Sequence, residues 1–406
     1  MKVKFLSIIL IVVPSIAYAQ SYPIVRATMM EQALAGMGAQ MKNLPIESQK
    51  IPTQDIQRYY VPEPVVRPKT YAADKKMNVK KNKVVEKSLR DITIELALEY
   101  MFAAQGKQVF EVVDSQGGLI SRLTFPNEGQ MLILKAEAGF RNKFFLSGRY
   151  GNSQFSKKIC SDEDWNLPID PPDPLFGDNL DYQITRQDSK PKVEIFDVNL
   201  YYRLLDLDKD KAKQEGLSSG KMKIFENLMV DKLSFDIFVG YQQQKGRYSM
   251  IDPWREYLIF DGGIWYSYED LLPADIGLDS FYKIEYKGPR LGIRTQGSRG
   301  KFTTKLRFAY AWLETKAYGW WNMREYSFWQ SGTRGYGIDT GLEVDYSFFR
   351  SFSIGVGFNY LYCRQKKLKE SGVMEVPSHY EYYDEDIIRN ANSEIYGPSF
   401  ILKYIW

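Results

Sequence analysis

The sequence predicts an all-β protein: a transmembrane, antiparallel, up-and-down β-barrel of about ten strands. Three observations predict it. The C-terminal segment alternates at period two, with Tyr396, Pro398, Phe400, Leu402, Tyr404 and Trp406 on one face and Ser393, Gly397, Ser399 and Lys403 on the other. Such a strand presents one face to lipid and one to a polar lumen. The chain also opens like a secreted one. Lys2 and Lys4 precede an apolar run over residues 5–16 that Pro14 interrupts, and Ala17-Tyr18-Ala19 fits a cleavage site. Residues 1–19 are therefore expected to be a signal peptide. Finally, aromatic residues make up 15% of the chain although its mean hydropathy is -0.38. No later stretch is long and apolar enough for a transmembrane helix. A barrel reconciles the two numbers, because lumen residues dilute its apolar face and aromatic girdles enrich both membrane interfaces.

Residues 20–88 lack strand periodicity. Pro45, Pro52, Pro62, Pro64 and Pro68 hold an extended path, and lysines crowd residues 75–87. Charge and proline resist burial, so this stretch reads as a periplasmic linker with one short helix at most. The barrel is expected over residues 89–406.

Strand periodicity starts abruptly. Ile92, Ile94, Leu96, Leu98, Tyr100 and Phe102 alternate with Thr93, Glu95, Ala97 and Glu99. Charges facing lipid cost a few kcal/mol each near the midplane, so both glutamates are expected to face the lumen. Leu132, Leu134, Ala136 and Ala138 alternate with Lys135 and Glu137, and Phe145 is set against Arg149. Phe196, Val198, Leu200 and Tyr202 oppose Asp197, Asn199 and Arg203. Further strands are expected around 235–248, 281–295, 302–313, 336–348 and 352–362, with the terminal strand last.

Arg141-Asn142, residues 297–300 and Arg350-Ser351 read as tight turns, which face the periplasm in such barrels. The charged stretch 206–231 is a long connection on that same side. Residues 154–182, 251–278, 317–332 and 366–391 are expected to be long extracellular loops. A ring of about ten strands is filled by its own side chains, so the lumen ionisable groups should pair into a polar plug.

The net charge of +4 gives no argument for nucleic-acid binding. The two cysteines, Cys160 and Cys363, are expected at the extracellular ends of their strands. A disulfide between them stays open, since it would have to span the barrel mouth. No cofactor and no metal is expected.

At one long loop the chain reads Cys160-Ser161-Asp162-Glu163-Asp164-Trp165. This resembles the Asp-x-Asp-Trp motif of the omptin family, outer-membrane proteases built on ten-stranded barrels. Gly117-Gly118, residues 196–200, Gly240-Tyr241-Gln242, Arg247-Tyr248-Ser249, residues 286–289 and Trp312-Leu313-Glu314 follow the family's order over roughly residues 90–406. The resemblance implies an aspartate pair, Asp162 and Asp164, facing an Asp-x-His pair across the mouth, with cleavage at paired basic residues. Here the second loop runs from Ala317 to Glu325 and holds neither His nor Asp, with Gly319 and Trp321 in the loop that should supply the base. The single histidine, His379, lies on the last loop. A water-activating base must lie within hydrogen-bond reach of the water. Tryptophan and glycine supply none, and an exposed Glu325 is too weak near neutrality. Asp162 and Asp164 also read as solvated surface acids or oxygen ligands for a divalent cation. The resemblance further implies a lipopolysaccharide clamp on the exterior at Tyr241 and Arg247, with Glu285 standing where the family has a basic residue. The same two side chains also read as girdle aromatic and snorkelling cation.

The expectation is an omptin-like barrel in the outer membrane, non-proteolytic, with a structural or surface-interaction role through its loops. Two alternatives stand beside it: an endopeptidase with a rearranged site using Asp162, Asp164 and His379, and a narrow small-solute channel. Expected partners are outer-membrane lipid and lipopolysaccharide, an unidentified extracellular partner, and the barrel-assembly machinery that reads the terminal aromatic.

Overall fold

A computed structural model describes residues 92–113, 118–173, 177–210, 228–267, 277–322, 325–376 and 379–406. The expected signal peptide and linker lie outside the described residues. The first strands are β1 (Ile92–Val113), β2 (Leu119–Pro126), β3 (Gly129–Phe140), β4 (Phe144–Phe155), β5 (Lys158–Asp173), β6 (Gly177–Ser189) and β7 (Lys192–Asp208). They are followed by β8 (Lys232–Asp261), β9 (Ile264–Ser267), β10 (Asp279–Arg299), β11 (Phe302–Trp321), β12 (Tyr326–Phe349), β13 (Phe352–Val376) and β14 (His379–Ile405). All pairings are antiparallel.

The ring closes twice. In the lower half its ten staves are β1, β3, β4, β7, β8 and β10 to β14, with β14 returning to β1. In the upper half β2, β5 and β6 take the places of β3, β4 and β7 between β1 and β8. Each of these pairs is one long strand broken at the same height: at Asn127-Glu128, at Ser156-Lys157 and at Lys190-Pro191. Pro126 and Pro191 donate no ladder hydrogen bond, which favours a break there. On β1 the bend falls after Met101, where the register shifts. Gly106 takes φ +139° there, and a side chain at that position would meet Glu394 O at 2.0 Å.

The tight turns fall where expected, at 141–143, 300–301 and 350–351. The expected long loops do not. Residues 158–189, 251–267, 317–332 and 366–391 are largely strand, prolonging the ring above the membrane belt. Large aromatics on both faces, as at Tyr318, Trp320 and Trp321, hide the period-two signal there. Cys160 and Cys363 accordingly lie within strands, buried and unpaired as free thiols. Burial, with Asp162 adding to it, pushes the Cys160 thiol above its usual range.

The outer face carries a belt of exposed aliphatics, among them Leu96, Leu134, Leu146, Leu200, Val239, Leu291 and Leu306. Aromatics fringe it above at Tyr100, Tyr150, Tyr241 and Trp312, and below at Phe140, Phe144, Phe302 and Trp406. Ten residues separate Phe302 from Trp312 on one strand, which at roughly 40° of tilt is about 25 Å of height. That is the height of a bilayer's apolar band.

The lumen is filled. Lowest lies an ionic lattice. Arg290 donates to Asp197 Oδ1 at 2.7 Å, Asp339 Oδ2 at 2.8 Å and Asn199 Oδ1 at 2.7 Å. Arg149 bridges the same two aspartates, and Arg307 reaches Asp339 Oδ1 at 3.0 Å. Glu99 pairs with Lys135 at 2.7 Å, Glu95 with Lys305 at 2.8 Å, and Asp236 with Arg203 and Arg294 at 2.8 Å each. This is the expected polar plug. Phe145 corrects one assignment: it faces inward with Arg149, because the Arg203 and Arg294 guanidiniums lie over its ring at 4.4 and 5.3 Å. Above the lattice an apolar core unites side chains from all around the ring, including Met131, Ile195, Tyr248, Tyr282, Leu313 and Phe328.

Candidate functional site at the barrel mouth

Asp162 and Asp164 are two residues apart on β5, so both point inward, where they are 7% and 4% exposed. Gln183 Nε2 lies 3.5 Å from Asp164 Oδ2, and Gln183 accepts from Tyr257 at 2.9 Å. Between the aspartates Glu163 points outward, 3.7 Å from Arg122; burial still holds its carboxyl above the usual range. Trp165 packs outward against Tyr182, their ring centres 5.2 Å apart.

On the opposite wall positions 319 and 321 carry Gly and Trp, neither of which is a base. Gly319 sits opposite Phe328 in the β11–β12 ladder, and that ring fills the place a side chain would take: a Cβ on Gly319 would lie 2.0 Å from Phe328 Cζ. Trp321 packs on Tyr326 and Phe328 at 5.7 and 5.2 Å. Tyr282 continues the stack to Phe328 at 6.2 Å and to Phe110 on β1 at 5.1 Å. Beneath, buried Glu370 accepts from Tyr326 at 2.9 Å and from Gln330, which also accepts from Tyr282. Where the omptin resemblance implies a cleft, the described residues form an aromatic plug. Glu325 stays exposed in the turn, at φ 45°.

His379 is not brought to the aspartates. Asp164 is level with Ser121, Ser121 with Val112, and Val112 with Arg389 on β14. His379 pairs with Val376, eight β13 residues beyond the Leu368 that faces Arg389, roughly 26 Å farther out at strand rise. Among the described residues no group of three His, Cys, Asp or Glu is placed to hold a metal ion.

Tyr241 and Arg247 both face outward on β8, the first in the upper girdle and the second above it. The register puts Arg247 between Lys192 on β7 and Lys283 on β10, so three cations stand side by side. Arg247 and Lys283 both lie over the Phe281 ring, at 5.5 and 4.6 Å. One row below, Glu285 is surrounded by Lys245, Lys287 and Gln243. Lys192 and Lys283 are absent from the sequence reading, because only the strand register reveals that they adjoin Arg247.

At the upper end β9 folds back on β8 through Gly262-Gly263, at φ 55° and 87°. Trp265 packs on Phe260 and Tyr182, yet stays 56% exposed, and Ile264 beside it is 57% exposed.

No family model matches the sequence, and no curated protein does. Among solved structures the chain is similar to the outer membrane protease OmpT from Escherichia coli, at 15% identity and a TM-score of 0.56, over 77% of this chain and 97% of that one. It also matches the translocator domain of the autotransporter NalP from Neisseria meningitidis, at 8% identity and a TM-score of 0.29, over 80% and 94% of the two chains. The likeness to the protease shows the fold: this chain has the architecture of an outer-membrane β-barrel protein.

Proposed function

We propose that the chain is an outer-membrane barrel of omptin-like build with a closed lumen, acting at the cell surface through contacts of its projecting upper tier rather than by proteolysis. The carrying observation is the aromatic plug of Phe110, Tyr282, Trp321, Tyr326 and Phe328 in place of a cleft. The exposed Ile264 and Trp265 offer a surface for an extracellular partner, since solvated apolar tips of this kind mark contact sites when clustered. A second reading, an endopeptidase with a rearranged site, is favoured by the inward, buried Asp162 and Asp164 and opposed by the remoteness of His379. In this reading of the chain residues 1–19 direct export and residues 20–88 lie in the periplasm.

The stacked plug and the ionic lattice below it also oppose a channel. Planar bilayers containing the reconstituted protein should show no stepwise conductance. Single-channel steps scaling with salt would overturn the closed lumen.

The row Lys192, Arg247 and Lys283 above Tyr241 suits the phosphates of lipopolysaccharide, as charge-assisted contacts to phosphate are strong. Lipopolysaccharide should raise the unfolding temperature of the detergent-solubilised protein, and Arg247→Glu should remove most of that rise. An equal rise in the variant would assign Arg247 to the girdle alone.

A further inference from the structure

On the outer face of β1, β12, β13 and β14 a groove of ≈ 560 Å³ runs through the apolar belt. Val344 and Tyr346 form one wall, Phe400 and Leu402 the other, and Val356 lies between them. The register explains the hollow. Val356 pairs with Phe400 and Val344, so two short valines lie side by side next to the taller Phe400 ring. The volume lies in the roughly 300–1,000 Å³ range of sites for small ligands.

The lower end of the groove is not apolar. Phe302 packs at a tilt against Tyr346 with ring centres 5.0 Å apart, and the ammonium of Lys301 lies 5.7 Å over the same Tyr346 ring. Lys301 is an exposed turn residue, and among the described residues no carboxylate pairs with it. Arg350, equally exposed, stands in the next turn along the rim, between β12 and β13. An apolar channel with Lys301 at its lower end, and Arg350 in the next turn, complements one kind of molecule. It takes a hydrocarbon chain above and a negative charge below.

We propose that this groove is a binding site for one anionic phospholipid of the leaflet on the short-turn side, with an acyl chain along Val356 and the phosphate at Lys301, Arg350 beside it. The site rests on the outer-membrane reading above and is separate from the lipopolysaccharide row, which lies at the opposite interface. It selects by charge at the head group and by shape at the chain.

The test uses the full-length protein in bilayer nanodiscs of phosphatidylethanolamine with a minority of phosphatidylglycerol. The protein is released into mild detergent and retained lipids are counted by native mass spectrometry. One phosphatidylglycerol per barrel should be retained, several-fold over its share of the bilayer. Lys301→Glu should bring phosphatidylglycerol down to that share, and Lys301→Arg should keep the preference. Val344→Trp should fill the groove and lose the retained lipid of either type. Because Lys301 lies in an exposed turn, its variants fold whatever the fate of the groove variant. Retention in bilayer proportions, or a preference unchanged by Lys301→Glu, overturns the site. A chain that failed to enter the bilayer would overturn the barrel reading and the site with it, whereas insertion without selectivity overturns the site alone.

Discussion

Arg290→Met should cost the folded barrel about 3–5 kcal/mol, the usual penalty for leaving buried charges without their partner. The Arg290 side chain is 0% exposed and contacts two aspartates that are themselves buried. Arg149 and Arg307 remain after the substitution, but Arg149 bonds Asp197 through Oδ2, and among the described residues Asp197 Oδ1 then accepts only from Asn199 at 3.0 Å. The methionine keeps much of the volume but has no donors, so the loss is mainly electrostatic and hydrogen-bonded rather than a cavity. Urea unfolding of the detergent-solubilised protein, followed by the gel shift of the heat-modifiable band, measures it. The companion variant Arg290→Met/Asp197→Asn/Asp339→Asn should cost more than the single change, because Arg149 and Arg307 then lose the carboxylates they pair with. Lys192→Ala, on the exposed outer row, should change stability by about 1 kcal/mol or less. A single Arg290 variant as stable as the parent would show that the lattice is hydrated rather than dry.

The lattice was legible in the sequence because charge and period two together leave one answer. Glu95, Glu99, Lys135 and Glu137 alternate with aliphatics, and no lipid-facing position tolerates them. What the alternation does not tell is which charges meet. Lys403 and Glu343 are 60 positions apart and touch only because β12, β13 and β14 are neighbours. Phe145 was misplaced for a related reason. Hydrophobicity alone assigns it to lipid, whereas two guanidiniums on its ring make an inward aromatic favourable.

The upper tier was legible only in part. Strands that leave the membrane lose the lipid that enforces alternation, so turn-forming residues and aromatics on both faces read as loop. The Asp-x-Asp-Trp motif was visible, and so was the missing base. The aromatic plug was not, since Phe110, Tyr282 and Phe328 come from three separate strands and converge only across the ring. Nothing in the local pattern at Gly319 announces that Phe328 occupies its missing side chain.

That occupancy shapes the expected catalytic behaviour. Refolded with lipopolysaccharide, the protein should leave peptides with paired basic residues intact, at rates indistinguishable from buffer. Water attack on an amide needs a positioned base, and loss of one partner from such a set typically forfeits about three to six orders of magnitude. Installing the implied pair by Gly319→Asp/Trp321→His should not restore cleavage. A Cβ at 319 collides with Phe328 at 2.0 Å, so the new aspartate is pushed away from the mouth and Asp162 and Asp164 still face an aromatic wall. Adding Phe328→Ala opens the space, and the triple variant should cleave measurably above background if the two walls stand at the separation the chemistry needs. A fluorogenic dibasic peptide, assayed against all three proteins in parallel, decides between these outcomes. Activity in the unmodified protein that vanishes with Asp162→Ala or His379→Ala would overturn the non-proteolytic reading and establish the rearranged site. It would also require the β13–β14 hairpin to fold over the mouth, because the register otherwise holds His379 roughly 26 Å farther out along the strand than the level of Asp164.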